Sequence, residues 1–504
     1  MNTFKRKALT SAVLGTLGVA GSAQAIYQDP NNLGQVLIYP YYTVQSAAGN
    51  AFNTFISVTN TTTAVKVVKV RFREGKNSAE ALDFNLYLSP NDMWTGAVIP
   101  ASTDSAAPAR LITNDVSCTN PGPIPPGGVD FRNFEFSGAR ADGLGAGLER
   151  TREGYVEMFE MATLDPSVAP GNAAVHSATT GVPTCAGLVG ASLPAVIAAA
   201  LPPTGGLFGT GTLINVQSGR DTMYNANAFG QWRIGPSLTD FGTDNPGFAQ
   251  TQPPTSIVVN LPNVYFSVFS STVTAALTVG GGAKAASATM MHSDVINEYI
   301  LDAATRSNTD WVMTFPTKRL FVNSLTAIPP FTNLLTANGA CEVIDLVYFN
   351  REERTAGTSG LDFSPTPPGA PANSLCWESS VLSFRNGSSN APGTPAAPSL
   401  VLGSQNVTTV LVTSTFQNGW AAVHFTNPNA STVGLVSDPT SVTTVIATGL
   451  AAVGSPGAQT FRGLPVVGFM IRTFDNGNLT CGTATCQGNY GGSVSHAYRN
   501  FITP

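Results

Sequence analysis

Hydrophobic and polar residues alternate along most of the chain, most clearly between residues 64 and 94. Because successive side chains of a β-strand point to opposite faces, this period of two predicts two strands, each with an apolar and a polar face. The polar face of the first carries the basic residues Lys69, Arg71 and Arg73, and the apolar face of the second carries Leu82, Phe84, Leu86 and Leu88. The turn residues GKNS separate the two runs, so the segment is predicted to form a β-hairpin.

Two segments before the hairpin are also predicted to be strands. Residues 53–60 alternate in the same way, except that Phe55 falls on the polar side with Ser57 and Thr59. Pro40 interrupts the run GQVLIYPYYTV, and since proline cannot donate a ladder hydrogen bond, this strand is expected to lie at a sheet edge or to bend at Pro40. Four short strands that share a core predict a β-sandwich.

Later segments continue the β pattern, with two exceptions. The Ala-rich run 184–201 is predicted to form a short helix beside Cys185. Residues 293–306 are also predicted to be helical, because their apolar residues fit one helical face: Val295, Ile296, Tyr299, Ile300 and Ala303. The predicted fold class is all-β and mainly antiparallel, with one to three β-sandwich (Ig-like) units, long Pro/Gly loops and few short helices.

The N-terminus has the parts of a secretory signal peptide. Lys5, Arg6 and Lys7 precede an apolar run, and Ala23-Gln24-Ala25 supplies small residues for cleavage after Ala25. The protein is therefore predicted to be exported to the cell surface or the extracellular space, with the periplasm as an alternative. No later stretch supplies about 18 uninterrupted apolar residues, so no transmembrane helix is expected.

The predicted segments are a signal peptide at 1–25, a β-sandwich domain at 26–115, a loop-rich insertion with a disulfide at 116–205, a β-rich domain at 206–330 and a C-terminal β-rich domain at 331–504.

Six cysteines lie after the predicted cleavage site, and an even number in an exported chain predicts disulfides. Six cysteines allow 15 pairings, which the sequence alone does not distinguish. Pairing between sequence neighbours is favoured, which gives Cys118–Cys185, Cys341–Cys376 and Cys481–Cys486. A metal site is disfavoured, because the chain has no paired CxxC motif and no histidine beside the close pair CGTATC.

The charge of the mature chain argues against nucleic acid as a partner. Removing the three basic residues of the signal peptide leaves 22 of the 25 Lys and Arg against 30 Asp and Glu, a net charge of −8. A charged fraction of only 11%, with 50 Gly and 35 Pro, is typical of extracellular β-proteins with long loops.

Three sets of residues are candidates for binding. Lys69, Arg71 and Arg73 face Asp83 and Asn85 across the hairpin, as expected for the solvated face of a sheet, with a partner-binding face as the alternative. The sequence YPYY places Tyr39, Tyr41 and Tyr42 in an irregular aromatic cluster, predicted to be exposed and able to contact a sugar. Asp240, Asp244 and Asn245 offer oxygen ligands that suit calcium, although the segment is not an EF-hand loop and also fits a simple turn.

Motifs for catalysis are missing from the sequence. There is no GxSxG motif, and the histidines are scattered: His176, His292, His424 and His496. Glu157 and Glu160 could suggest a glycosidase pair, but a spacing of three on a strand sends them to opposite faces. No catalytic residue is predicted.

Four segments spread over the chain carry a resemblance to a known group: REGKNSAEALDFNLYLSPNDMW, TREGYVEMFEMA, TDWVMTFPTKR and NYGGSVSHAYR. Together they resemble a group of exported proteobacterial surface proteins that has no established activity. The resemblance implies export and a β-rich surface protein, and it lends no catalytic residues.

The expected function is that of a non-enzymatic structural or adhesive protein that assembles with itself or contacts a surface polymer. The alternatives are a secreted glycan-binding or glycan-processing protein and an outer-membrane β-barrel.

Overall fold

The computed structural model describes residues 26–47, 50–190, 193–239, 244–252, 258–266, 269–276, 281–355, 374–386, 397–412, 416–425, 434–436, 443–446, 453–454 and 460–503. The structure is mostly antiparallel, with 47% of residues in strands and 10% in helices. The predicted all-β class is therefore confirmed.

The described residues contain 34 strands, numbered here in chain order. The first twelve are β1 (Ile26–Gln28), β2 (Val36–Thr43), β3 (Ser46–Ala47), β4 (Asn50–Ala51), β5 (Asn53–Asn60), β6 (Val65–Glu74), β7 (Glu80–Leu88), β8 (Met93–Pro100), β9 (Ala109–Ile112), β10 (Cys118–Asn120), β11 (Val129–Asp130) and β12 (Glu153–Leu164). The next twelve are β13 (Leu207–Asn215), β14 (Arg220–Asn225), β15 (Asn227–Gly230), β16 (Val258–Phe266), β17 (Phe269–Ala276), β18 (Met291–His292), β19 (Asp294–Ile300), β20 (Asn308–Thr314), β21 (Glu342–Val343), β22 (Asp345–Asn350), β23 (Ser374–Leu375) and β24 (Ser379–Asn386). The last ten are β25 (Val407–Val412), β26 (Asn418–His424), β27 (Gly434–Val436), β28 (Thr443–Ile446), β29 (Val453–Gly454), β30 (Thr460–Arg462), β31 (Leu464–Pro465), β32 (Val467–Cys481), β33 (Ala484–Ser495) and β34 (Ala497–Thr503).

Helices are short in the part of the chain that the structure describes. The two α-helices are α1 (Leu193–Ala199) and α2 (Gly281–Thr289). Single 3-10 turns lie at Phe134–Phe136, Gly138–Arg140, Leu148–Arg152, Gly171–Ala174, Phe248–Gln250 and Lys318–Leu320. α1 confirms the predicted helix beside Cys185.

Three sheets position the site. In the largest sheet, β6 lies between β7 and β12. β12 also pairs with β2, and β2 pairs with β15. A six-stranded sheet has the order β11-β9-β8-β5-β13-β14. A five-stranded sheet has the order β25-β24-β20-β32-β33, in which only the β24–β25 pair is parallel.

The first two of these sheets pack face to face over a shared core. The apolar face of the hairpin contributes Val68, Val70, Phe72, Phe84 and Leu86, and the six-stranded sheet contributes Ile56, Val58, Trp94, Val98 and Leu213. All are buried, as expected for two sheets whose inward residues interdigitate. The predicted hairpin, its turn and the strand at residues 53–60 are confirmed.

One prediction for an individual segment needs correction. The helix predicted at residues 293–306 is wrong, because β19 occupies Asp294–Ile300 and pairs with both β26 and β34, and pairing on both edges outweighs the helical periodicity. β2 lies between β12 and β15 over its first three residues, and from Tyr39 to Thr43 it pairs, among the described strands, with β12 alone. The expected irregularity at Pro40 is present as a register shift opposite Gly154–Val156 of β12.

Hydrogen-bonded pairing crosses each boundary predicted within the mature chain. β12 of the segment 116–205 pairs with β6, β13 pairs with β5, and β20 pairs with both β24 and β32. The four predicted segments therefore share sheets with one another.

Candidate functional site

The basic face of the hairpin is buried, which corrects the prediction of a solvated face. The side chains of Lys69, Arg71 and Arg73 are at most 1% exposed. The chain segments on either side of residues 240–243 cover them: Asn85 Nδ2 donates to the carbonyl of Thr239 at 3.0 Å, and Arg71 Nη1 donates to the carbonyl of Pro246 at 3.1 Å. A buried face of this kind is not accessible to a macromolecular partner.

Carboxylates from two strands and one loop neutralise this face. Glu157 of β12 accepts from Arg73 Nε at 2.7 Å and lies 3.5 Å from Arg71 Nη1. Arg71 Nε lies 3.0 Å from Glu80 Oε2 on β7. Buried charges are tolerated when they are paired and hydrogen-bonded in this way, and breaking one pair leaves an uncompensated charge.

The hairpin pattern in the sequence predicts some of the acidic partners of these basic residues but not others. Lys69 Nζ lies 3.2 Å from Asp83 Oδ2, which confirms the predicted cross-strand pairing. Glu157 could not be predicted as a partner, because 84 residues separate it from Arg73. Glu157 and Glu160 lie on opposite faces as expected, since Glu160 pairs instead with Lys66 at 2.6 Å.

Burial changes the protonation behaviour of the cluster. It raises the pKa of Glu80 to about 7, with Asp83 adding to the effect and Arg73 and Arg71 opposing it. Burial also lowers the pKa of Lys69, against the attraction of Asp83. The cluster therefore contains a carboxyl group that titrates near neutral pH.

A second polar cluster lies behind the hairpin turn and joins three of the four segments that carry the resemblance. Tyr155 OH donates to Ser78 Oγ at 2.9 Å, and Ser78 Oγ donates to Glu378 Oε2 at 3.0 Å. Burial raises the pKa of Glu378 to about 7, although Lys318 opposes the shift. Lys318 Nζ donates to the carbonyls of Ala340 and Cys376. Sequence patterns give no sign of this cluster, because its members come from distant segments.

The tyrosine cluster is buried, so its predicted exposure is wrong. Tyr39, Tyr41 and Tyr42 are all fully buried between the large sheet and the six-stranded sheet. Their hydroxyls stay satisfied: Tyr39 donates to the Ser57 carbonyl at 2.7 Å, Tyr41 to Glu153 Oε2 at 2.6 Å and Tyr42 to the Thr151 carbonyl at 3.1 Å. Because the rings are buried in the core that the two sheets share, they offer no platform for a sugar.

The three residues proposed for calcium do not form a described cation site. Asp240 lies outside the described residues. Burial would raise the pKa of Asp244, but Arg73 and Arg319 outweigh it and hold the pKa well below its ordinary value. Arg73 Nη2 lies 2.8 Å from Asp244 Oδ1, Arg319 pairs with the other oxygen, and the Asn245 carbonyl accepts from Thr239. Within the described ranges no group of three His, Cys, Asp or Glu side chains is placed to hold a metal.

Two of the three predicted disulfides are present. Cys118 pairs with Cys185 and Cys341 with Cys376, with Cα separations of 5.4 and 3.7 Å. The side chains of Cys481 and Cys486 lie outside what the structure describes, so their pairing stays a prediction.

One contact brings a histidine to a serine and an aspartate, but in an order that does not suit nucleophilic catalysis. Ser293 Oγ donates to one oxygen of Asp294, and His424 Nδ1 contacts the other. A serine nucleophile needs the histidine to accept its proton directly. Here the carboxylate separates the two groups.

The outer face of the six-stranded sheet exposes several large apolar side chains. Its exposed large side chains, between 36% and 61% accessible, are Phe55, Met93, Phe208 and Met223. We call this surface the outer face; it comprises these four residues and the threonines between them, Thr59, Thr95, Thr210 and Thr212.

Cross-strand register makes the outer face continuous. Met223, Thr212 and Phe55 are successive partners across β14, β13 and β5, and Phe208, Thr59 and Met93 form a second row across β13, β5 and β8. Charged residues lie only at its margins, where Arg110 pairs with Asp130 on one side and Asp221 is exposed on the other. One local feature of the sequence indicated this surface: Phe55 interrupts the polar side of its strand.

Comparison of the chain with models of protein families, with curated proteins and with solved structures gave no match. Among the described residues, no helix combines the length and the apolar character needed to cross a membrane. The assignment of a function therefore rests on the geometry of the chain itself.

Proposed function

We propose that the protein is an exported, non-catalytic structural protein that associates with further copies of itself through the outer face. The observation that carries the proposal is the continuous, uncharged surface formed by Phe55, Met93, Phe208 and Met223. Contiguous exposed apolar patches are rare on monomeric proteins and mark interaction sites.

A second copy is the occupant that this surface fits best. Two identical faces meet without repulsion when charges are confined to their margins, as Arg110, Asp130 and Asp221 are here. The four strands that carry the outer face, about 4.8 Å apart and about eight residues long, give roughly 500 Å² in projection. Side-chain relief raises the accessible area above that value, towards the roughly 800 Å² per partner of a stable interface. Face-to-face packing of sheets is also how the protein builds its own core.

The disposition of charge supports a structural role over a catalytic one. The densest run of charged residues forms internal ion pairs with Glu157, Glu80 and Asp83 and so stabilises the packing of the sheets. The two described disulfides fit an exported protein, because such bonds persist in oxidising compartments. A cleaved signal peptide ending at Ala25 is part of the proposal.

Sedimentation velocity on the mature chain over a range of micromolar concentrations tests the proposal. The parent protein is expected to form dimers or larger assemblies, and the variant Phe55→Lys/Met223→Lys is expected to stay monomeric with an unchanged melting temperature. Leu325→Lys, at a residue 88% exposed and outside the outer face, is the matched control and should associate like the parent. A parent protein that is monomeric throughout, or a double variant that still associates, would refute self-association through this face.

A further inference from the structure

A cleft of about 290 Å³ lies where strands from both ends of the described chain come together. Its lining includes Gln28 at the end of β1, Asn227 of β15, His292 of β18, and Tyr498 and Asn500 of β34. The volume is at the small end of the range for ligand sites, which suits a small molecule or the terminal unit of a polymer.

Two stacked aromatic pairs line this cleft. The rings of His292 and Tyr498 are 3.9 Å apart and nearly parallel, and those of Tyr224 and Phe469 are 4.6 Å apart with an interplanar angle of 16°. Stacking fixes the ring orientations and makes this wall rigid. His292, Tyr224 and Phe469 are at most 7% exposed, so Tyr498 is the ring of the four that is partly accessible from the cleft.

Side-chain amides supply most of the polar lining. They are Gln28, Asn32, Asn225, Asn227 and Asn500. Gln28 Nε2 donates to Asn227 Oδ1 at 3.0 Å, and Asn500 Oδ1 lies 2.5 Å from His292 Nδ1. An amide has two donors and an acceptor with two lone pairs, so each of these groups keeps further hydrogen-bonding capacity after one contact.

Charge is nearly absent from the lining. The one carboxylate is that of Asp29, which accepts from the backbone N–H groups of Asn31 at 2.7 Å and Leu33 at 3.5 Å. The described lining contains no lysine or arginine. Burial lowers the pKa of His292 to about 4, so its ring is neutral at pH 7. Nothing in this lining would neutralise an anionic ligand.

We infer that this cleft binds a neutral saccharide, with amide groups of Asn225 and Asn227 bonded to sugar hydroxyls and the accessible part of Tyr498 packed against the sugar. Vicinal hydroxyls need paired donors and acceptors, which amides provide, and the C–H face of a pyranose needs apolar surface, which Tyr498 provides. Rigid, mostly apolar walls with a few placed polar groups are the usual composition of a small-molecule site. The cleft adjoins the margin of the outer face, where Asn225 of β14 pairs with Thr210. Asn227 belongs to the large sheet, so the Asn227→Ala variant tests the cleft apart from self-association through the outer face.

Saturation-transfer NMR on the folded mature protein tests this inference, with methyl glucoside, methyl galactoside and N-acetylglucosamine as neutral probes and glucuronic acid as the acidic probe. At least one neutral probe is expected to receive saturation, and glucuronic acid is not. Asn225→Ala and Asn227→Ala should each weaken binding about 3- to 10-fold, as expected for the loss of one hydrogen bond. Asn225 is exposed, so its replacement does not endanger the fold.

Asn114→Ala is the matched control, because Asn114 is an exposed asparagine outside the cleft. This variant should bind like the parent. The inference is overturned if none of the neutral probes binds at 10 mM, if glucuronic acid binds as well as they do, or if Asn225→Ala and Asn227→Ala leave affinity unchanged.

Discussion

Arg73 Nε lies 2.7 Å from Glu157 Oε2, and both side chains are buried at the centre of the largest sheet. Replacing Arg73 by Met should destabilise the protein by about 3–5 kcal/mol, because Glu157 would remain as a buried charge with a weakened set of partners. Arg472→Met is the control: Arg472 pairs with Glu298 at the surface, and exposed pairs contribute about 1 kcal/mol or less. Urea unfolding at pH 7 measures both. Similar losses for the two variants would contradict a stabilising role for the buried pair.

The stability of the protein should depend on pH through Glu378. Burial raises its pKa from 4.5 to about 7, opposed by Lys318 and Arg319 and assisted by Glu74. Between those values the folded state holds a proton that the unfolded state has lost, so this contribution is complete below pH 4.5 and is lost as the pH rises through 7. Glu378→Gln, which cannot titrate, should lose less stability than the parent between pH 5 and 8. Thermal unfolding of both proteins across this pH range measures the difference. If their melting temperatures change with pH in parallel, Glu378 is not the group responsible.

The two described disulfides should contribute strongly to stability. The Cys118–Cys185 bond closes a loop of 67 residues, and removing it with Cys118→Ser/Cys185→Ser should cost about 2–4 kcal/mol. Intact-mass measurement after alkylation without reductant should find a mature chain that begins at Ile26 and carries no alkyl group. Modification of two cysteines would locate the exception at Cys481 and Cys486, whose pairing is so far predicted from sequence.

Two phenylalanines on strands of the two packed sheets should differ in how much stability is lost when each is replaced by alanine. Phe84 packs against Trp94 in the core, with ring centroids 5.9 Å apart, so Phe84→Ala is expected to cost about 3–5 kcal/mol. Phe55 points outwards, so Phe55→Ala should change the stability of the monomer by about 0.5 kcal/mol or less. Denaturant midpoints of the two variants, measured at low protein concentration, provide the test.

Local patterns predicted the strands well and their surroundings poorly. The alternation in β6 and β7 placed Val70 and Phe84 correctly in the core, because a period of two is a property of the strand itself. The same pattern assigned Arg71 and Arg73 to solvent, since nothing nearby shows that residues around Asp244 fold back over them. Tyr41 was misplaced for a related reason. Pro40 suggested exposure, but residues distant in sequence cover Tyr41: Tyr224 OH donates to the Tyr41 carbonyl, and Tyr41 OH donates to Glu153.

Sites formed by distant segments were beyond the reach of these patterns. The cleft brings Gln28 next to Asn227 across 199 positions of sequence. The disulfides were the exception, because pairing between neighbouring cysteines holds for both described bonds. Phe55 was a local indication of the outer face. It is an apolar side chain among polar ones, on a strand whose other face was already assigned to the core.

The pairing of β5 with β13 has a consequence for how the chain folds. Ser57 and Thr210 face each other across this pair although 153 residues separate them. A ribosome releases the N-terminal strands first, so β5 keeps an open edge until about 150 further residues have followed. Sheets closed by such distant contacts form slowly, in milliseconds to seconds, and unpaired edges attract other chains meanwhile. Under the export proposed above, the chain would cross a membrane in extended form, and this late closure would leave β5 unpaired on one edge until after passage, when exposure to aggregation would be greatest.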